Sequence, residues 1–137
     1  MFENKTAGLT CLYGAVLIFL AIAAGTFGSH ALSIRLEQTD MLRVFDIANR
    51  YHFYNSFGLI LCGLMWSSGS LFKWQKYCSV LMLLGTILFS GSLYLLALGS
   101  DKGIGLITPV GGVLLLVAWS LVVADLVSGV NRSRMAT

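Results

Sequence analysis

Four apolar stretches separated by short polar ones set the plan of the chain. Residues 7–27 carry no formal charge. At about 1.5 Å of rise per residue they are long enough to cross the roughly 30 Å hydrocarbon layer of a bilayer as one helix. Uncharged stretches follow at about 51–72 and 77–99, and a fourth at about 108–127 is apolar until Asp125 near its end. The pattern predicts an all-α, integral membrane four-helix bundle in a single domain covering 1–137. A signal peptide needs an apolar run of only about 7–15 residues, so the first stretch is read as a helix of the mature protein. Ala21, Gly25 and Ser29 recur at every fourth position, as do Ala24 and Gly28. Such rows of small residues let helices approach closely in lipid.

The polar stretches differ from one another. Residues 33–39 read as a connection, and Thr39 or Asp40 is placed to cap a helix beginning near Met41. Met41, Leu42, Phe45 and Ala48 recur at helical spacing, with Arg43, Asp46 and Arg50 away from them. That is an amphipathic surface helix before the second span. Neither Pro nor Gly separates it from that span, so one long helix entering the bilayer obliquely is expected. Residues 73–77 put two lysines and two aromatics in a turn at the membrane surface. Residues 99–105 read as a glycine-rich loop, after which Thr108 and Pro109 suit an N-cap and the first position of a helix.

Composition agrees with the pattern. Apolar residues make up 57% of the 137 and charged residues 11%, against about a quarter charged in a soluble domain. A chain this short cannot hide that much apolar surface in a water-facing core, so lipid is its solvent. The net charge of +3 is small and dispersed, which excludes a nucleic-acid surface. Four spans put both termini on one side, together with Lys5, Lys73, Lys76, Arg132 and Arg134. Arg35, Arg43, Arg50 and Lys102 fall on the other side. The positive-inside rule then places both termini in the cytoplasm by a narrow margin. The three cysteines, Cys11, Cys62 and Cys78, lie far apart in apolar surroundings, and no disulfide framework is expected.

Alternating helix direction brings scattered polar residues to one end of the bundle. The first span ends at His30, the second begins near Asn49, His52 and Asn55, the third ends near Tyr94, and the fourth begins at Thr108. These six residues form the candidate ligand-binding cluster, read either as a hydrogen-bond network between helices or as a binding site. Two histidines without a third donor are a weak metal signal, so no metal is expected. As axial ligands of a haem, His30 and His52 sit at span ends, so no cofactor is expected either. Ser90 and Ser92 lack the Gly-x-Ser-x-Gly context of a nucleophile, no phosphate loop occurs, and no catalytic residue is assigned. Asp125 lies close enough to the final basic tail to pair with it.

These residues resemble a known family. Residues 25–32, Gly-Thr-Phe-Gly-Ser-His-Ala-Leu, are similar to the Gly-x-Phe-Gly-x-His-x-Leu signature of the small four-span membrane proteins typified by YgdD and YwdK. Residues 45–53, 85–94 and 108–112 resemble its other motifs in the same order and at similar spacing. The resemblance implies a four-helix protein of the bacterial inner membrane in a family of unknown function. The family often has a histidine where this chain has Asn55. Asparagine cannot change charge near neutral pH, so the residues here favour architecture over proton or metal chemistry. The expectation is therefore a non-enzymatic accessory or interaction protein. Its partners would be the bilayer and another membrane subunit or a second copy of itself. The alternatives are an oligomeric carrier of small solutes or ions, and a redox subunit binding haem or quinone.

Overall fold

The computed structural model of the chain describes residues 5–67 and 74–135. They form α1 (Lys5–His30), α2 (Ser33–Gln38), α3 (Leu42–Ser67), α4 (Gln75–Ala97), a short 3-10 helix (Lys102–Leu106) and α5 (Ile107–Met135), with no strand among the described residues. Among the described residues, three stretches are long and apolar enough to cross a membrane: Lys5–Gly28, Gln75–Ala97 and Gly103–Asn131. α3 is the least apolar of the long helices, because its first turns carry Arg43, Asp46 and Arg50. The far end of the expected second span (68–72), Lys73 of the expected surface turn, and the side chains of Arg132 and Arg134 lie outside the described residues.

Sequence and structure part company at the connections. The stretch 33–39 is mostly helix, because Leu36 buries against Phe45 and Ala97 and so gives this polar segment an apolar anchor. Thr39 does not cap α3. Its hydroxyl donates backward to the carbonyls of Arg35 at 2.9 Å and Leu36 at 3.3 Å. Asp40 then takes φ 56, a left-handed conformation that short polar side chains tolerate, and the chain turns into α3. α3 runs unbroken through the stretch expected to join a surface helix to a span. Part of the glycine-rich loop is a 3-10 turn whose N-cap is Asp101, with Oδ1 accepting from Gly103 N–H at 2.9 Å. α5 begins at Ile107, so Pro109 lies just inside its first turn.

The four long helices pack as a staggered row, with α3 and α4 in the middle, α1 against α3 and α5 against α4. Small residues carry the contacts. Ala7 and Ala21 on α1 and Ala48 on α3 are fully or almost fully buried. A methyl group on Gly14 would meet the carbonyl oxygen of Ser56 at 2.7 Å, and one on Gly63 would run into Cys11 Sγ and Ala7 O. Between α4 and α5, Gly111 lies on the backbone of Phe89. α1 and α4 touch where Thr10 Oγ1 and Ser79 Oγ share a hydrogen bond of 2.8 Å. α5 also reaches back to α4: the buried Asp125 carboxylate accepts from Trp74 N–H at 3.2 Å. Asp125 thus caps the N-terminus of α4, where the helix dipole favours a negative charge; the expected pairing with the basic tail falls on Arg132 and Arg134, whose side chains lie outside the described residues.

Large apolar side chains point outward along the row. Phe19 on α1 and Leu116 on α5 are each 71% exposed, and Leu12, Ile22, Val113 and Val123 are similarly open. Apolar surface this continuous is stable only when hydrocarbon covers it. Gly111→Ala should destabilise the protein by about 1–3 kcal/mol, since the added methyl meets backbone that cannot step aside. Gly129→Ala, where the methyl has nothing within 4 Å, should be neutral or stabilising. Thermal unfolding of both variants in detergent checks the pair, and equal losses would show that the α4–α5 approach is not limiting.

Candidate functional site

Asn49, His52 and Ser56 fall on one face of α3, and Thr86, Ser90 and Tyr94 on one face of α4, by the three- and four-residue spacing of a helix. The two faces meet. The Tyr94 hydroxyl donates to Asn49 Oδ1 at 2.8 Å. A hydroxyl has one proton to give, so the 3.4 Å contact between Tyr94 Oη and His52 Nδ1 needs its hydrogen on the imidazole nitrogen. When that contact is made as a hydrogen bond, neutral His52 is the Nδ1–H tautomer, with its lone pair at Nε2. Phe45 packs edge-on against Tyr94 with ring centroids 5.0 Å apart, and the His52 and Tyr94 rings lie 5.9 Å apart, also edge to face. Glycines on α1 make room: a methyl on Gly25 would meet Asn49 Nδ2 at 2.7 Å, and one on Gly28 would strike the Phe45 ring.

The six expected site residues separate into four places. Asn49, His52 and Tyr94 are together. Asn55 is buried but faces α5, its Oδ1 accepting from Trp119 Nε1 at 3.0 Å while its Nδ2 donates to Tyr51 O at 2.8 Å. Thr108 Oγ1 shares a 2.7 Å hydrogen bond with Ser92 Oγ and ties the start of α5 to α4. His30 is exposed at the end of α1, in an open groove of about 420 Å³ with Gly25, Asn49, Arg50, Phe53 and Tyr54. His30 and His52 line different cavities, so the structure does not bring this pair onto one ligand. No group of three His, Cys, Asp or Glu side chains able to hold a metal occurs among the described residues.

Sequence reading left three residues out of the site. Trp119, which holds Asn55, has no sequence signal, because only the α3–α5 crossing brings it there. Asp125 caps α4 from a helix distant in sequence. Ser90 was legible in principle, one turn before Tyr94 on the same face. Its buried Oγ finds no hydrogen-bond partner among the described residues. It lines a crevice of about 200 Å³ with Leu17 and Leu20 of α1, His52 of α3, and Thr86, Ile87, Gly91 and Tyr94 of α4.

This arrangement of helices and polar side chains can be placed among known proteins. Residues 24–112 match the family described as "Protein of unknown function (DUF423)". A UPF0382 membrane protein of Staphylococcus saprophyticus is 38% identical over 82% of this chain and 91% of its own length. The UPF0382 membrane protein YwdK of Bacillus subtilis is 33% identical, covering 82% of this chain and 90% of its own. The UPF0382 inner membrane protein YgdD of Escherichia coli is 34% identical, covering 85% of this chain and 87% of its own. No solved structure matches. With most of its length aligned to these membrane proteins and three helices able to cross a bilayer, the chain belongs to the DUF423 family, whose function is unknown.

Proposed function

We propose that the protein crosses the bacterial inner membrane four times with both termini in the cytoplasm, and that it is a non-enzymatic accessory or interaction protein. In this reading α3 is the second crossing. Its first turns, with Arg43, Asp46 and Arg50, form the amphipathic segment at the membrane surface. The inner-membrane assignment rests on the likeness to YgdD, an inner membrane protein of Escherichia coli.

The observation that carries the proposal is the pairing of polar side chains with one another across helices. Asn49, Tyr94 and His52 bond together, as do Asn55 with Trp119 and Ser92 with Thr108. Groups used in this way fix the positions of helices. The outer helices α1 and α5 each pack mainly on one neighbour in the row, α3 and α4 respectively, and expose an apolar flank around Phe19 and Leu116. Those flanks are where lipid, another membrane subunit or a second copy of the chain would sit.

Three measurements test this reading. A photo-crosslinking residue at position 19 or 116, activated in cells before extraction in mild detergent, should give one dominant protein adduct of defined mass; protein adducts at neither position would count against an interaction role. Reporter fusions active only in the cytoplasm should be active at both termini, and a periplasmic signal at either would overturn the topology. Tyr94→Phe removes the hydroxyl shared by Asn49 and His52. With interhelical hydrogen bonds in membranes averaging about 0.6 kcal/mol, the variant should lose about 1 kcal/mol and leave the crosslinks unchanged. Loss of the adduct with an unaltered unfolding temperature would instead place Tyr94 in the interaction itself.

A further inference from the structure

The crevice lined by Ser90 and His52 differs from the interlocked contacts around it. α1 and α4 meet at Thr10 and Ser79, whereas nearer the site Leu17 and Leu20 stand across an open crevice from Ile87, Ser90 and Gly91. Leu20 is 48% exposed and Ile87 51%, and they frame the crevice's mouth midway along their helices. At that depth the mouth faces hydrocarbon, so whatever enters comes sideways from the bilayer.

Four polar side chains line the crevice, and two of them are already committed. The Thr86 hydroxyl donates to Met82 O at 2.6 Å, and the Tyr94 hydroxyl donates to Asn49. Ser90 Oγ–H remains as a donor without a partner among the described residues, although Ser90 is only 2% exposed. His52 Nε2 remains as an acceptor, because Nδ1 carries the hydrogen that bonds Tyr94. A ligand hydroxyl within reach of both would satisfy them together, donating to Nε2 and accepting from Ser90. A carbonyl satisfies only Ser90. No carboxylate, lysine or arginine lines the crevice, so a charged head would enter without a fixed counter-charge. Size narrows the class further. A cavity of about 150 Å³ holds one benzene ring, so about 200 Å³ takes a single substituted ring and leaves a long tail outside.

We infer that this crevice binds the ring of an uncharged, lipid-soluble phenol or hydroquinone, its hydroxyl held between Ser90 and His52 and its tail left in the bilayer. This goes beyond the accessory role proposed above and stands without it, because crosslinking at α1 or α5 and occupancy of the crevice are separate readouts.

The test is equilibrium binding of 2-decylhydroquinone to the purified full-length protein in nanodiscs, under anaerobic conditions. Its dimethyl ether and 1-decanol are the comparison ligands. Saturable binding of one hydroquinone per chain is expected. The ether, which cannot donate, should bind about tenfold more weakly, the loss expected for one neutral hydrogen bond. Decanol, which lacks the ring, should also bind at least about tenfold more weakly. Ser90→Ala removes a hydroxyl that has no partner in the fold. It should therefore weaken hydroquinone binding about tenfold without lowering the unfolding temperature, a combination that a purely structural serine does not give. Equal binding of the ether or of decanol, unchanged affinity in Ser90→Ala, or no binding by the wild type would each overturn the inference.

Discussion

Helices in hydrocarbon gain little by burying leucine against leucine, because lipid tails solvate those side chains as well as a neighbouring helix does. The stability of this fold therefore depends on how closely backbones approach. Gly111 lies on the Phe89 backbone, Gly14 on Ser56 and Ile60, and Gly63 on Ala7 and Cys11. Each contact brings main-chain atoms to van der Waals distance, where many small dispersion terms add up. The same requirement explains why many large apolar residues, such as Phe19 and Leu116, face outward while alanine and glycine line the close helix contacts, although Trp66 and Phe45 are buried. In a water-soluble helical protein of this length that order would be reversed.

Hydrogen bonds have a different role. At about 0.6 kcal/mol each, the interhelical bonds seen here amount to only a few kcal/mol together. They are spread along the row: Thr10 with Ser79 toward one end, Asn55 with Trp119 between α3 and α5, and Ser92 with Thr108 and the Asn49–Tyr94–His52 set toward the other. Sliding any helix by one turn would strand several of these groups in an apolar medium, and each stranded group costs more than a formed bond returns. The bonds thus select the register in which the close backbone contacts form. Asp125 does the same at the start of α4, from a position five turns along α5.

The sequence made part of this plain and hid the rest. The apolar helices were legible because length and hydropathy are local properties, and the small-residue row on α1 was legible from its four-residue spacing. Helix ends were less so. Leu36 turned an apparently polar connection into α2 only because Phe45 and Ala97 stood ready to cover it, and neither is near it in sequence. The candidate site was half legible. Helix direction placed Asn49, His52 and Tyr94 at one end, but rotation about each helix axis decided which residues met. Rotation turned Asn55 toward Trp119 and left His30 in an outer groove. A pattern along one helix states which residues share a face; it does not say which neighbour that face will find.

Against this background of satisfied groups, Ser90 is informative. A serine in a helix ordinarily gives its proton to the carbonyl three or four residues back, as Ser79, Ser92 and Ser120 do here. Ser90 makes no such bond, and it is buried beside a histidine whose tautomer is set by two other residues. A buried hydroxyl without a partner lowers the stability of the fold, and alanine at the same position would remove that cost. The fold therefore leaves an unpaired donor on one residue and an acceptor on another in the lining of one lipid-facing crevice, where a third group entering it would satisfy both.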